Sequence, residues 1–568
     1  MSESQEGGVI RALDKLYEFE REPVSENKLQ PGRHFAGLYA GEHVAGTEFV
    51  IGALFVKWGA AAHDIFLGLI LGNLMAVLTW TLVCAPIAVS TRLTLYWYLR
   101  KVAGPVTTAV YNVLNAFLFC ILAGCMITVS ASAVRIPFGI PEQTNWYPED
   151  LRFVLVVIGV GAVVVTLAIL GFKRLSQFAE VCAPWMFLMF IAGAVAMLPA
   201  LAAATPGVGP VHGIGDFWRL ANQAIWTGAT PDGSPPITFW QIAAFAWICN
   251  LAVHGGLSDM AILRYARHWS YGLYSGFGMF LGHYLAWICA GVMGAGAAAV
   301  LQKSLLNLDA GAVAWQALGM AGILAVILAG WTTSNPTLYR AGLALQAVTP
   351  GWPRWLVTLF VGVITTLIAC SPFVFNWLLN FVGIYGLLLM PVGAIVFVEH
   401  WIFPRIGFTQ FWVTKKNLLV SWPALASWAI GMVVALLLER TQTLHLFFLF
   451  VPIWILTSVL YILFAAMAGA REKLPELDEE PPVKKKPAPA PAVLPVKKYD
   501  MLFWTSGIIA LLSLAICIGW PIWMFLMGTG EFPARFTIFK MFLIWPSLLY
   551  FISGTLWYIK YEMANSSK

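Results

Sequence analysis

Three ionisable residues, Glu42, His43 and Glu48, lie in the first apolar segment of the chain. Ionisable side chains are expensive inside a membrane-spanning segment and usually face a cavity, a partner or an ion. A carboxyl group here could carry a proton, balance a cationic ligand or accept a hydrogen bond from a ring nitrogen. The alternative is an ion pair with an Arg or His inside the protein or, for Glu42, a position near the membrane boundary. We predict that Glu42 and His43 contribute to a ligand site, and for Glu48 both interpretations stay open.

The composition of the chain is that of a protein with many membrane-spanning helices. Of its 568 residues, 60% are hydrophobic and 11% are charged, whereas roughly a quarter of the residues in soluble domains are charged. Uncharged runs such as residues 65–91, 102–134 and 355–398 exceed the about twenty apolar residues that a helix needs to cross a bilayer. In such a chain the net charge of +6 reports topology rather than nucleic-acid binding. We therefore predict an all-α polytopic membrane protein with no nucleic-acid partner.

The sequence contains fourteen candidate spans, which are numbered here from the N-terminus. Their approximate centres are residues 46, 78, 118, 162, 190, 250, 286, 324, 362, 388, 428, 456, 514 and 550. With a cytoplasmic N-terminus, the loops on the cytoplasmic side between the first twelve spans are the richer in Lys and Arg, as the positive-inside rule requires. We expect a multi-pass protein of the cell (plasma or inner) membrane with both termini cytoplasmic.

A change in composition after span 12 divides the chain. Residues 471–500 are rich in proline and charge and are expected to form an extended cytoplasmic linker, because they cannot bury a core. Before the linker we place a cytoplasmic N-terminal segment, 1–33, and a twelve-helix core, 34–470. After it come two additional membrane helices, 501–560, and a cytoplasmic tail, 561–568.

Two of the spans contain residues that favour interruption of the helix. Span 1 has Gly37, Gly41 and Gly46 around its ionisable residues, and span 6 has two glycines directly after His254. Discontinuous helices at corresponding places in two halves of a transporter indicate a binding site near the middle of the membrane. Spans 1 and 6 are corresponding positions in a repeat of five plus five helices. Glycine alone is weak evidence, since it is common in membrane helices.

Three segments resemble the nucleobase:cation symporter-1 family, which includes cytosine, purine, allantoin and hydantoin permeases. They are SDMAILRYAR at residues 258–267, WTTSNPTLYRAGL at residues 331–343 and MPVGA at residues 390–394. The first is similar to the family's aspartate followed by an Arg-Tyr/Phe-Ala-Arg/Lys signature, with a longer gap here between Asp259 and Arg264. The order and spacing of the three segments agree with the family over residues 30–470.

The resemblance implies a specific fold. It predicts the 5+5 inverted repeat of the leucine-transporter-like symporters, made of twelve helices, with a two-helix C-terminal hairpin appended to it. In that fold, spans 1, 2, 6 and 7 form a bundle that rocks against a scaffold of spans 3, 4, 8 and 9.

The resemblance also implies a sodium site on span 8. In the family, hydroxyl groups at the positions of Thr332 and Thr333 hold a sodium ion together with carbonyl groups of the interrupted span 1, here near Gly41. Sodium is a hard cation and suits such oxygen ligands. The alternative is that both threonines donate to carbonyl groups of their own helix. Beyond a possible Na⁺ as coupling ion, the sequence implies no cofactor.

The family holds a flat substrate between aromatic rings of spans 3 and 6. Phe119 stands where the family has a tryptophan on span 3, and Ala123 stands where it has a glutamine. On span 6, Trp247 is the best candidate ring, with Asn250 one turn later. Asn335 is the nearest candidate for the family's substrate-binding asparagine on span 8. Alternatively, the aromatic rings face lipid or the core, and the Asn335 amide bonds to the backbone at a helix kink.

His254 is a further candidate, because two glycines follow it in span 6. It is assigned to the substrate site or a gate; the alternative is a buried histidine with satisfied hydrogen bonds. We assign Asp259, Arg264 and Arg267 to the cytoplasmic gate and to the positive-inside pattern rather than to substrate contacts.

The leading hypothesis is a secondary active transporter that imports a small heterocycle, such as a nucleobase or hydantoin-like compound, together with Na⁺ or H⁺. One alternative keeps the fold and changes the substrate to an amino acid or amine whose ammonium pairs with Glu42. Another is a membrane sensor that transmits ligand binding through the linker and the C-terminal hairpin. An enzyme is not expected, because the sequence has no evident nucleophile–base pair, HExxH motif or phosphate loop.

Overall fold

The computed structural model describes residues 16–143, 145–305, 308–475, 499–527 and 532–566. In these ranges every named element of secondary structure is a helix. The first fifteen residues of the predicted N-terminal segment and residues 476–498 of the predicted linker lie outside the described residues.

Ten of the described helices are long and apolar enough to cross a bilayer. They correspond to spans 2, 3, 4, 5, 7, 10, 11, 12, 13 and 14, in this order: Ala62–Thr91, Pro105–Val134, Leu151–Ile169, Phe172–Ala204, Trp269–Leu301, Phe381–Ile406, Trp422–Arg440, Phe450–Met467, Met501–Leu526 and Phe532–Asn565. The prediction of an all-α polytopic membrane protein is confirmed.

Spans 1 and 6 are interrupted, as the glycine pattern predicts. Span 1 consists of a first half, Gly32–His43, and a second half, Glu48–Lys57. Span 6 consists of Phe239–Ile248 and Leu251–His254, followed after a non-helical stretch by Met260–Leu263. At such breaks the backbone carbonyl and amide groups lose their partners in the helix and become available to other groups.

Spans 8 and 9 are the two remaining predicted spans. Span 8 is a helix of 27 residues, Met320–Gln346, whose polar side chains lie near its middle. Span 9 is shorter, with 16 residues from Arg354 to Ala369. Span 8 packs along span 3, and Ser130 of span 3 donates its hydroxyl to the Ile327 carbonyl of span 8 at 3.3 Å. This contact runs through the centre of the apolar core.

The first ten spans form two halves of five with matching features. Span 2 contains a π-helical segment, Trp80–Cys84, and the corresponding span 7 contains another, Gly278–Ala286. A short helix, Leu95–Ala103, connects spans 2 and 3, and Ala310–Leu318 connects spans 7 and 8. The packing is also reciprocal, because span 6 lies on span 2 as span 1 lies on span 7. Since each half has an odd number of spans, the second half starts on the opposite side of the membrane, so the repeat is inverted.

The C-terminal hairpin packs against the core at span 5. Spans 13 and 14 lie against each other, and both contact span 5. Tyr550 of span 14 donates its hydroxyl to the Val181 carbonyl at 2.8 Å, and the Phe551 ring lies 5.0 Å from the Trp185 ring. Near the end of span 14, Glu562 accepts a hydrogen bond from Arg33 at 2.5 Å. The hairpin is thereby connected to the start of span 1.

Candidate functional site

An ion-pair network of three buried residues connects spans 1, 6 and 8. Arg340 of span 8 donates to the two carboxylate oxygens of Glu42 at 2.5 and 3.1 Å, and to Asp259 at 2.7 Å. Arg340 and Asp259 are fully buried, and the Glu42 residue is 8% exposed. We call Glu42, Asp259 and Arg340 the charge triad. It contains two carboxylates for one guanidinium, so it carries a negative charge when both carboxyl groups are ionised.

The second oxygen of Asp259 is held by two further side chains. The Tyr39 hydroxyl and the Trp80 indole N–H both donate to it, the latter at 2.7 Å. Asp259 lies in the non-helical stretch of span 6, whereas Tyr39 precedes the break in span 1 and Trp80 lies in the π-helical segment of span 2. These contacts hold together the parts of spans 1, 2 and 6 that surround the breaks.

Sequence reasoning missed the role of Arg340 and placed Asp259 in the cytoplasmic gate. A signal for Arg340 was present, since span 8 contains a single charged residue between positions 320 and 346. A lone arginine in a membrane-spanning helix requires a buried anionic partner. Glu42 adopts the structural alternative considered for it, an ion pair inside the bundle, and its role in substrate binding stays a prediction.

The predicted sodium-binding residues lie beside the break in span 1. Thr333 donates its hydroxyl to the Glu42 carbonyl at 2.7 Å and to the Ala329 carbonyl of its own helix at 2.9 Å. Thr332 bonds within its helix, to the Leu328 carbonyl at 3.0 Å. A Cβ on Gly41 would lie 3.6 Å from Cβ of Thr332, so the two helices are in close contact here.

The ligands offered at this contact are hydroxyl and carbonyl oxygens, a set that fits Na⁺ rather than a transition metal. Among the described residues, no group of three or more His, Cys, Asp and Glu side chains could hold a metal ion. Sodium binding by Thr332 and Thr333 stays a prediction.

Three buried histidines surround the breaks on the side of Glu48. The ring centroid of His43 lies 5.2 Å from that of His283, a residue of span 7 that sequence reasoning did not select. His254 lies 4.8 Å from the Trp80 ring and shares a hydrogen bond of 2.8 Å with the Trp247 carbonyl. Asn250, at the start of Leu251–His254, lies 3.4 Å from Nε2 of His283. The structure thus brings the predicted residues His43, Asn250 and His254 together.

The two predicted substrate-stacking rings have different surroundings. Phe119 is fully buried and packs edge-on against Tyr385 of span 10, at 6.0 Å between ring centroids. Trp247 donates its indole N–H to Thr79 of span 2 at 3.0 Å and packs on Phe450 of span 12, at 5.0 Å. The two rings thus contact different residues, Tyr385 for Phe119 and Phe450 for Trp247, and stacking of a substrate between them stays a prediction.

Asn335 lies in the buried middle of span 8. It is 1% exposed, and neither its amide nitrogen nor its amide oxygen has a hydrogen-bond partner among the described residues. The neighbouring Ser334 donates to the Ala123 carbonyl of span 3 at 3.3 Å, which places this turn of span 8 against span 3. A buried amide that lacks partners is costly, and it is a suitable group to hydrogen-bond a polar ligand.

The described part of the N-terminal segment covers the end of span 6 that follows its break. Arg264 is fully buried and donates to the Glu18 and Phe19 carbonyls at 2.7 and 2.6 Å. The hydroxyls of Tyr265 and Tyr339 donate to the Glu18 carboxylate at 2.7 and 2.8 Å. These contacts cover the end of span 6 that is predicted to be cytoplasmic, and the gate role of Arg264 stays a prediction.

The chain matches no protein-family model and no curated protein, but its fold matches solved transporters. Mhp1, a nucleobase-cation-symport-1 family transporter in a closed conformation with bromovinylhydantoin bound, aligns with 16% identity and a TM-score of 0.61 over 80% of this chain and 96% of its own. The inward-facing conformation of Mhp1 gives 15% identity and a TM-score of 0.57, with coverage of 80% and 96%. A Na⁺-coupled sialic acid symporter in a substrate-bound outward-open state gives 14% and 0.55, with coverage of 83% and 98%.

At these identities the comparison establishes the fold. The alignments cover nearly the whole length of each of these transporters. The part of this chain that lies outside the alignments is similar in length to the N-terminal segment, the linker and the C-terminal hairpin together. This chain has interrupted spans 1 and 6, an inverted repeat and a buried polar site between them. The chain is a multi-pass membrane protein with the leucine-transporter-like fold that it shares with a nucleobase-cation-symport-1 transporter.

Proposed function

We propose that this protein is a cation-coupled symporter that imports a small heterocycle, such as a nucleobase or hydantoin-like compound, by alternating access. The observation that carries the proposal is the contact between Thr333 and the Glu42 carbonyl at the break in span 1. It joins a helix of the rocking bundle to a helix of the scaffold through oxygen atoms. A cation bound there would stabilise one arrangement of bundle and scaffold, which is how an ion gradient can drive a conformational change.

The substrate site lies beside this contact. Phe119 of span 3 and Tyr385 of span 10 offer aromatic surface, and Asn335 of span 8 offers a buried amide without a partner among the described residues, next to Ser334, which contacts span 3. Apolar surroundings with a few placed polar groups suit a small flat ring compound. Mhp1, whose fold this chain shares, has been solved with a hydantoin bound, which supports trying this substrate class first.

The amine hypothesis has less support from the geometry. Its central element was an ammonium group pairing with Glu42, but Arg340 already donates to both oxygens of that carboxylate. An amine substrate would have to displace a buried guanidinium from its partner, which is costly.

The sensor hypothesis is favoured by one contact. Glu562 of the C-terminal hairpin binds Arg33 at the start of span 1, and Tyr561 contacts the same arginine at 2.9 Å. Span 1 belongs to the bundle that is predicted to rock, so a movement of span 1 would displace the hairpin through this contact. A sensor would bind its ligand without transporting it.

Ligand-induced thermal stabilisation of the purified protein tests the proposed function. Nucleobases, hydantoins, allantoin, amino acids and amines are each added in sodium buffer, in potassium buffer and at two pH values. A ligand that binds only the folded state raises its stability by mass action. Any compound that stabilises the protein is then tested for uptake into proteoliposomes.

The outcomes separate the three functions. Stabilisation by a heterocycle that depends on sodium or on pH, together with uptake, supports the proposed symporter. Stabilisation by amines alone would contradict the substrate class. Tight binding without uptake under any ion gradient would contradict transport and support the sensor.

A further inference from the structure

The second half of span 1 begins with a buried carboxyl group that has no lysine or arginine partner among the described residues. Glu48 is 2% exposed, and among the described residues no lysine or arginine forms an ion pair with it. Its polar contacts are the Trp287 indole N–H, which donates to one oxygen, and Nε2 of His283, which lies 3.8 Å from the other. Trp287 is always neutral, so His283 is the group that can balance the charge of Glu48.

His283 is held in place by two neighbours. Its ring stacks on Trp287 with 4.3 Å between centroids and 11° between planes. The Asn250 amide lies 3.4 Å from Nε2, the same nitrogen that faces Glu48. The ring is therefore fixed between span 1 and the break in span 6, with one nitrogen directed at the carboxyl group.

The titratable and charged groups around this pair come from four spans. Span 1 contributes His43 and Glu42, span 6 contributes Cys249, His254 and Asp259, span 7 contributes His283 itself, and span 8 contributes Arg340. Span 5 contributes an apolar ring, Phe190, which stacks on Phe49 at 4.3 Å. The helix Ala310–Leu318 has no titratable residue.

Two separate places in this region thus each carry one uncompensated negative charge. One is the Glu48–His283 pair when Glu48 is ionised and His283 is neutral, and the other is the charge triad when both its carboxyl groups are ionised. A proton bound by the Glu48–His283 pair removes the charge of the pair and leaves that of the triad unchanged.

We propose that Glu48 and His283 together bind one coupling proton. This rests on the proposed function, since it names the coupling ion and its site. With the proton bound, the pair is neutral and can be held in the interior of the bundle. Without it, the bundle would bury a bare carboxylate, which is costly. Loading of the proton therefore stabilises the arrangement of the spans in which the pair is enclosed.

Charge movement after a pH step tests the proposal without a substrate. Proteoliposomes on a solid-supported membrane are stepped from alkaline to acidic buffer, free of sodium, and the transient current is recorded. We expect a transient in the natural protein and its loss in Glu48→Gln and in His283→Asn. Glu399→Gln is the matched control, because Glu399 is an equally buried carboxyl group that accepts hydrogen bonds from Tyr461 at 2.8 Å and from the Phe411 N–H at 2.5 Å, between spans 10 and 12.

Infrared difference spectra on the same samples identify the group that takes up the proton. We expect the band of a protonated carboxyl group to appear on acidification in the natural protein and to be absent in Glu48→Gln. Glu48→Asp keeps a carboxyl group and should restore part of the transient, so it tests the proposal if Glu48→Gln does not fold.

Two results would overturn the proton site. One is a transient of the natural size in folded Glu48→Gln and His283→Asn, and the other is the lack of any transient in the natural protein. In either case sodium-dependent ligand stabilisation can still be present, so failure of the proton site is distinguishable from failure of the proposed symporter.

Discussion

Arg340 and Glu42 form a two-point ion pair, with guanidinium nitrogens 2.5 and 3.1 Å from the two carboxylate oxygens. One residue lies in the C-terminal part of span 8 and the other at the end of the first half of span 1, beside the break. The pair fastens the interrupted helix to the scaffold, and Asp259 joins span 6 to the same guanidinium at 2.7 Å. The site is therefore held together by charge in a region where burial makes charge expensive.

Replacement of Arg340 should destabilise the protein strongly. Arg340→Met leaves two buried carboxylates without a cation, and loss of one partner from a buried ion pair costs about 3–5 kcal/mol. Thermal unfolding of the purified protein checks this, with Arg267→Met, at an exposed position of the segment that contains Asp259, as the control. The triple variant Arg340→Met, Glu42→Gln and Asp259→Asn should recover much of the loss. Natural stability in Arg340→Met alone would mean that the triad is not formed.

Thr333 should determine the sodium dependence of ligand binding. Thr333→Val removes the hydroxyl that contacts the Glu42 carbonyl, so the extra stabilisation that a ligand gives in sodium over potassium should disappear. Thr333→Ser keeps the hydroxyl and should keep the effect. Thr366→Val is the control, because the Thr366 hydroxyl donates to the Gly362 carbonyl of its own helix, span 9, at 2.8 Å. An unchanged sodium effect in Thr333→Val would remove this residue from the ion site.

Gly282 should not tolerate a methyl group. A Cβ at this position of span 7 would overlap the His43 carbonyl at the end of the first half of span 1. Gly282→Ala should cost about 1–3 kcal/mol, as overpacking of a close contact does, and should slow transport, because it displaces the backbone of span 1 beside its break. Gly159→Ala on span 4 is the control, since a Cβ there meets nothing within 4 Å. Equal transport rates in the two variants would argue against a tight contact of spans 1 and 7.

The contact between the hairpin and span 1 should affect rate rather than stability. Glu562→Gln weakens a partly exposed ion pair with Arg33, which is worth up to about 1 kcal/mol. If span 1 moves during transport, release of this contact should change the transport rate or, for a sensor, the apparent ligand affinity. Lys560→Gln, which breaks the ion pair with Asp500 inside the hairpin, is the matched control. The same effect from both variants would show that the contact with span 1 has no special role.

The sequence by itself determined the class of the protein and the position of its breaks. Long uncharged runs must be helices in a bilayer, because every backbone polar group needs a partner there. Glycines beside ionisable residues marked the interruptions in spans 1 and 6, and the structure has both. These features are local, since each depends on residues that are neighbours along the chain. Glu42, His43 and His254 could be selected for the same reason.

The tertiary structure decided which ionisable groups meet. Asp259 and Arg340 are 81 positions apart, and His283 follows His43 by 240 positions, so their contacts arise from the packing of separate helices. The charge of Arg340 was visible in span 8, but its partners depended on the rotation of three helices about their axes. The direction of the Trp247 ring, towards Thr79 and Phe450, was decided in the same way. Hydropathy describes how far a helix extends in the membrane. Side-chain contacts depend on how neighbouring helices are rotated relative to each other, and only the folded protein specifies that rotation.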